Sequence, residues 1–216
     1  MVNIAIFGAN GTLGSRIASE ALNRGHNVTA IVRSPEKMAD ADPRITVKQG
    51  DGMDPQSVAA AAQGQDVVVS AVGGGDGPGH IATITPAAKS LVEGLRSLGE
   101  NQPRLFTVGG AGSLRTPDGK QVWDNPELPE FLLQIMHAHG DALDFLKGVK
   151  DVEWVNLSPA GGIAPGERTG SYRVAEEDLV INESGESFIT AEDYAVAVID
   201  EIENKRFSQQ RFAVGS

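Results

Sequence analysis

Apolar residues in this chain come in short dense runs that end on glycine-rich breaks, with longer stretches of helical spacing between the runs. Val2–Phe7 predicts a buried strand, because Val2, Ile4 and Ile6 crowd apolar, β-branched side chains into a segment too short for a helix. Beyond it Leu13, Ile17, Ala18, Ala21 and Leu22 fall on one helical face, which closes at Gly25. Val28–Val32 and Ile45–Val47 predict the second and third strands. Asp54 and Pro55 then open a helix as N-cap and first helical residue, and it runs through Ala59–Ala62 to Gly64. Asp66–Val72 is almost wholly apolar, as a strand covered on both faces should be. A helix bearing Leu91, Val92, Leu95 and Leu98 follows, then a strand at Arg104–Val108 and a helix over Phe131–Lys147 in which Gly140 is a weak point. A sixth strand is expected at Glu153–Leu157. The chain ends with a helix capped by Thr190, carrying Glu192 and Asp193 in its first turn, and a strand at Arg211–Val214.

Regular alternation of strand and helix predicts an α/β fold with a doubly wound parallel sheet, a Rossmann fold. The 216 residues suit one domain with a sizeable core and a small irregular C-terminal lobe. Two segments lack periodicity, 109–129 and 158–185, and both are expected to form the lip of a substrate pocket. Within the first, Leu114 and Trp123 either line the pocket or, for Trp123, anchor the loop. Within the second, runs 171–174 and 179–182 suit a small hairpin. The glycines from Gly73 to Gly79 suggest cofactor contact at their start and a mobile flap beyond.

The breaks carry the chemistry. Gly8-Ala9-Asn10-Gly11-Thr12-Leu13-Gly14 joins a strand to a helix, the context in which a glycine pattern signals a phosphate-binding turn. Gly8 permits the tight turn, Gly11 lets backbone approach a pyrophosphate, and Gly14 allows helix and strand to pack closely; the helix amides at Thr12 and Leu13 then face the anion. Ligands of such sheets bind beyond the carboxyl ends of the strands, so Asp51 and the segment Ala71, Val72 and Gly73 join Asn10 as expected cofactor contacts. Asp51 either accepts from the adenine amino group or only shapes its turn. At the end of the second strand, where NAD-binding chains carry a carboxylate for the ribose hydroxyl, stands Arg33, flanked by Ser34 and Lys37. An arginine fork there favours the 2′-phosphate of NADP(H) over NAD(H).

Net charge is −11, with the lysines and arginines scattered among acids, so nucleic acid and anionic membranes are not expected partners. The absence of cysteine excludes disulfides and a thiolate nucleophile, and His26, His80, His137 and His139 show no metal-ligand spacing. The N-terminal run reads as a core strand and not a signal peptide, and no apolar run approaches the ~18–20 residues that span a bilayer. A cytoplasmic protein is expected, as monomer or homodimer.

The Gly8, Gly11, Gly14 spacing with Asn10 between resembles the fingerprint of atypical and extended short-chain dehydrogenases/reductases. Val32-Arg33-Ser34, Val108–Ser113, Leu157-Ser158-Pro159-Ala160, Pro165–Gly170 and Ile189–Ala195 resemble the small NAD(P)H-binding group of NADH-flavin reductases, related to biliverdin-IXβ/flavin reductases and NmrA-like redox sensors. Most short-chain dehydrogenases use a Tyr-x-x-x-Lys pair as proton donor. Here Tyr172 and Tyr194 are followed four residues later by Glu176 and Val198, and His139 falls at the lysine position. An ordinary ketone would give an alkoxide that needs a strong, positioned acid. A flavin, quinone or conjugated tetrapyrrole gives a delocalised anion that solvent or a histidine can protonate. The expectation is therefore an NADPH-dependent reductase of such a small-molecule acceptor, with flavin as one substrate and Ser113 and His139 as candidate catalytic groups. A non-catalytic NADP(H) sensor of NmrA-like type is the alternative.

Overall fold

A computed structural model describes all 216 residues. Its strands are β1 Asn3–Phe7, β2 Asn27–Val32, β3 Thr46–Gln49, β4 Val67–Ser70, β5 Arg104–Val108, β6 Trp154–Ser158, β7 Gly162–Ala164, β8 Arg173–Ala175, β9 Phe188–Thr190 and β10 Gln210–Gly215. Its helices are α1 Thr12–Asn23, α2 Pro55–Ala62, α3 Gly77–Arg96, α4 Glu130–Lys147 and α5 Ala191–Asn204. The main sheet runs β3-β2-β1-β4-β5-β6-β10-β8, parallel except for β8. Because β1 lies beside both β2 and β4, chain progression reverses there and a crevice opens above the carboxyl ends of β1 and β4.

Each face of the sheet buries its own core. Ile4, Ile6, Ile17, Ala21, Tyr194, Val198 and Phe212 pack under α1 and α5. Phe7, Val58, Leu91, Leu95, Leu143 and Trp154 pack under α2, α3 and α4. This two-sided burial accounts for the nearly unbroken apolar runs of the central strands. No helix is long and apolar enough to cross a membrane.

Three expectations are corrected and one open alternative is decided. Gly77 to Gly79 form no flap: they are the first turn of α3, with Asp76 as N-cap accepting from the Gly79 amide at 2.7 Å. A Cβ on Gly74 would lie 2.0 Å from the Gly79 and His80 backbone, so the glycines serve close packing of strand end on helix start. Leu114 does not line the cleft but is fully buried with Ala111 and Ala213. Trp123 anchors its loop, stacking on His137 with ring centroids 4.7 Å apart and filling the space that Gly112 and Gly140 leave free. Finally, 171–174 and 179–182 make no hairpin: β8 pairs with β10, while Leu179 donates its amide to the Arg115 carbonyl, and the second small sheet is β7 with β9.

Carboxylates hold the segment after β7. Asp193 accepts from the Thr169 and Gly170 amides at 2.8 and 2.7 Å and from the Thr169 hydroxyl at 2.6 Å. Arg168 forks onto Glu20 with two bonds of 2.8 Å. The Arg168 bonds hold the Glu20 carboxyl below its ordinary value against the effect of burial, with help from Arg24. Burial also pushes Glu192 up, but the Gly166 amide and Arg16 outweigh it. At the head of α1, a Cβ on Gly14 would lie 2.1 Å from the Gly8 carbonyl oxygen, whereas one on Gly11 would meet only that oxygen, at 3.3 Å.

Two outcomes are expected. Gly14→Ala must lever α1 off the turn and lose about 2–3 kcal/mol in a denaturant titration, while Gly11→Ala loses less than about 1 kcal/mol. Both Glu20 and Glu192 titrate below the usual 4.5 in the folded protein, so their contribution to stability is full above that pH and lost as pH falls through their folded values. Denaturation midpoints should hold steady from neutrality down to about pH 5 and drop below it, with a shallower drop in Glu20→Gln.

Candidate functional site

The crevice is a cleft of about 640 Å³ whose floor is the strand ends Phe7–Gly8, Val32–Arg33, Gly50–Asp51, Ala71–Gly73 and Val108–Gly110. Its two ends differ in chemistry.

One end is built for an anion. Gly8 has φ +79°, and a Cβ there would lie 2.5 Å from the Ala71 carbonyl, so the turn after β1 rests directly on the end of β4. The turn closes with the Gly11 amide donating to the Gly8 carbonyl at 3.0 Å. Gly11 then caps α1 without a side-chain bond, and the amides of Thr12, Leu13 and Gly14 have no protein partner. Asn10, Gly11, Thr12 and Leu13 line the cleft; Gly14 lies behind them, where its lack of a side chain lets α1 pack closely on the turn. Free amides at the positive end of a helix hold an anion by about 0.3–2 kcal/mol of dipole interaction alone.

Arg33 stands exposed on the rim of this end. Every other arginine is engaged: Arg16, Arg24, Arg44, Arg96, Arg104, Arg115, Arg168, Arg206 and Arg211 in ion pairs, and Arg173 with the Ser216 carbonyl. The Arg33 guanidinium alone has no partner. Asp51 shapes its turn and still has a carboxylate oxygen to spare. One carboxylate oxygen accepts from the Met53 amide at 2.9 Å and so shapes the turn, while the other has no protein partner beside the cleft. These residues fit a dinucleotide: an open glycine turn, uncapped amides, a free guanidinium and a free carboxylate oxygen occur in the order that pyrophosphate, ribose and base require.

The other end is apolar. Leu132, Ile135 and Met136 of α4 and Ile163 of β7 enclose it, together with Thr83, and its titratable groups are His80 and His139. Burial, reinforced by the neighbouring His80, pushes the His139 imidazole down to about 4, so it is neutral near neutral pH. Ser113 is not in the cleft. Its hydroxyl accepts from the Arg211 Nη1 at 2.6 Å in a separate polar recess of about 210 Å³ bounded by Trp123 and Gly140, which removes it from the candidate catalytic groups. The sequence reading took 109–129 as one lip, yet the chain turns away from the cleft after Ala111. Of 158–185, only Pro159–Gly161 and Ile163 reach it.

His80 carried no assigned role in the sequence. The signal that locates it is the helix start Asp76-Gly77-Pro78-Gly79, which places His80 in the first turn of α3 facing the cleft. Neither tyrosine enters. Tyr194 is fully buried and donates to the Leu157 carbonyl at 2.7 Å, and burial raises its phenol. Tyr172 donates to Asp200 at 2.6 Å, and burial and that bond push it up to about 12. No lysine lines the cleft, so the Tyr–Lys pair is missing from the site as well as from the sequence.

The model of a family described as NAD(P)H-binding matches residues 8–205. Among solved structures, a "putative exported protein" of Burkholderia pseudomallei is 44% identical with TM-score 0.89, each chain covered completely. A "putative epimerase" of Bacteroides thetaiotaomicron is 37% identical with TM-score 0.89, over 100% of this chain and 97% of that one. A "putative NADH-flavin reductase" of Streptococcus pneumoniae TIGR4 is 30% identical with TM-score 0.87, again over both whole chains. With a family match across nearly the whole chain and the cradle it requires in place, this protein belongs to the NAD(P)H-binding family.

Proposed function

We propose that the protein is an NADPH-dependent reductase that passes hydride to a flavin, a quinone or a similar conjugated acceptor. The observation that carries this reading is the contrast between the two ends of one cleft. An anion cradle with an unpaired arginine meets an apolar chamber that contains no tyrosine, lysine or carboxylate.

When bound, the reduced dinucleotide supplies the hydride; the chain positions it. The α1 amides and the Gly8–Gly11 turn would hold the pyrophosphate, Arg33 would take the 2′-phosphate, and the free oxygen of Asp51 would accept from the adenine amino group. Ala71–Gly73 would line the cofactor between these groups and α4. There Leu132, Ile135, Met136 and Ile163 exclude water and offer flat apolar surface to a planar acceptor. Holding the partners in contact supplies most of the acceleration, and effective molarities of about 10⁵ M and above show how much geometry alone provides. Conjugated acceptors spread the charge they receive, and so do not demand a strong fixed acid. Acid–base chemistry at an unactivated alcohol does demand one, which weighs against carrying over the name of the Bacteroides relative, a "putative epimerase". A compartment rich in NADPH, the cytoplasm, is where such a reaction would run.

The first test is steady-state oxidation of NADPH by the purified protein, followed by absorbance, against flavins, quinones and biliverdin-like acceptors. At least one acceptor should be reduced well above background, and failure with all of them would remove the reading. Arg33→Asp should weaken NADPH binding about 10- to 100-fold in a fluorescence titration, the loss of one or more charge-assisted hydrogen bonds, while NADH affinity holds or improves. Unchanged affinity for both dinucleotides would exclude Arg33 from the site.

A further inference from the structure

The acceptor end of the cleft holds two histidines in very different settings. Their rings lie 5.8 Å apart, centroid to centroid, inclined by 50°. The His80 Nδ1 is 2.7 Å from the Asp76 carbonyl oxygen. A carbonyl can only accept, so Nδ1 carries a proton, and the remaining nitrogen, Nε2, faces Gly73 at the end of β4. That nitrogen accepts a hydrogen bond when the ring is neutral and donates one when it is charged. His80 is also half-exposed, so it exchanges protons with solvent.

His139 is half-buried too, and behind it lies a small recess of about 20 Å³ whose polar walls are Ser70, Thr107 and Asn156. These occupy matching positions on three adjacent strands, Ser70 opposite Thr107 and Thr107 opposite Asn156, with Asn156 donating to the Thr107 hydroxyl at 2.8 Å. The row offers neutral hydrogen-bonding groups and no counter-charge. The charged or titratable groups around the pair are few. Asp76 lies on α3 itself. Besides His139, α4 brings Glu130, held by Gln134 at the head of the helix, and His137, turned away onto Trp123. Arg33 and Asp51 lie at the far end of the cleft, and the strand ends between contribute none.

We infer that the two histidines share one exchangeable proton beyond their neutral forms, and that His80 delivers it through Nε2 to the reduced acceptor while His139 stays neutral. The inference rests on the reductase reading. Two electrons and one hydrogen arrive at the acceptor as hydride, which leaves a negative heteroatom. The Nε2–H bond of His80 breaks, a bond from that proton to the heteroatom forms, and the neutral imidazole regains a proton from solvent. Overall, reduced dinucleotide, acceptor and one proton become oxidised dinucleotide and dihydro-acceptor. The second proton of His80, on Nδ1, never leaves the Asp76 carbonyl, and this bond keeps Nε2 aimed into the cleft.

The test joins NMR with kinetics on the full-length protein. Nitrogen-15 spectra of the histidine side chains should show neutral His80 protonated on Nδ1. His139 should stay neutral as pH falls to about 4. If His139 charges well above that pH, or neutral His80 carries its proton on Nε2, the inference is overturned without any assay. In kinetics with NADPH and a water-soluble naphthoquinone or FMN, His80→Asn retains a donor for the Asp76 carbonyl but cannot protonate the acceptor. It should lower kcat about 10- to 100-fold, near the lower end of what general acids contribute, and should leave KM for NADPH nearly unchanged. The fall in wild-type rate with rising pH should vanish in His80→Asn and persist in His139→Asn. Turnover by wild type with an unaltered rate and pH profile in His80→Asn would overturn the role of His80 alone. Absence of turnover by wild type with every acceptor would overturn the reductase reading, and the NMR result would still decide where the proton sits.

Discussion

The close approach of Gly14 to the Gly8 carbonyl governs the site. Helix α1 can begin so near the end of β1 only because neither residue carries a side chain at the contact. That proximity turns the helix amides into the crevice, instead of letting them find water or a capping side chain outside it. The same Gly8 rests on the Ala71 carbonyl, so the turn, the helix start and the end of β4 form one rigid corner. With the corner fixed, the crevice between β1 and β4 has fixed walls. Everything further along it is arranged by how far α3, α4 and the segment after β6 extend over those walls.

Those three elements give the cleft its second character. The Asp76 cap starts α3 early, Trp123 wedges the 109–129 loop against α4, and Asp193 gathers the amides of Thr169 and Gly170. Each device makes its contacts outside the chamber, which leaves the lining mostly to leucine, isoleucine and methionine. The chamber is therefore largely apolar without burying unpaired charge, and its titratable side chains are the imidazoles of His80 and His139.

Local features were legible in the sequence where one short segment determines them. The Gly8–Gly14 turn, the Asp54 and Thr190 caps and the two-sided strands all follow from neighbouring residues. Features that depend on distant segments were not legible. The glycines at 73–79 read as mobility because the partner that requires them, the backbone of the next helix turn, is apparent only once the chain folds back. Gly140 read as a flaw in α4 because the indole filling its gap comes from Trp123. Ser113 looked catalytic for want of its partner, Arg211, almost a hundred residues on. His80 passed unremarked since its role depends on a cap four residues earlier and on a second helix. Corrections thus fall on long-range contacts, and most of the strand-end residues do line the cleft.

Charge distribution supplies a last constraint. A chain with net charge −11 repels an anionic dinucleotide at long range, and its acids capture nearly all of its arginines. At physiological ionic strength the repulsion is screened beyond about 8 Å, so what a phosphate meets on close approach decides binding. At the cleft that is α1 with no acid in its first turn, and a single guanidinium that no carboxylate has claimed. In so acidic a protein an unpaired arginine is out of pattern, and its place at the end of β2, beside the uncapped amides, is where a ribose phosphate would complete the pairing that the other arginines find within the chain.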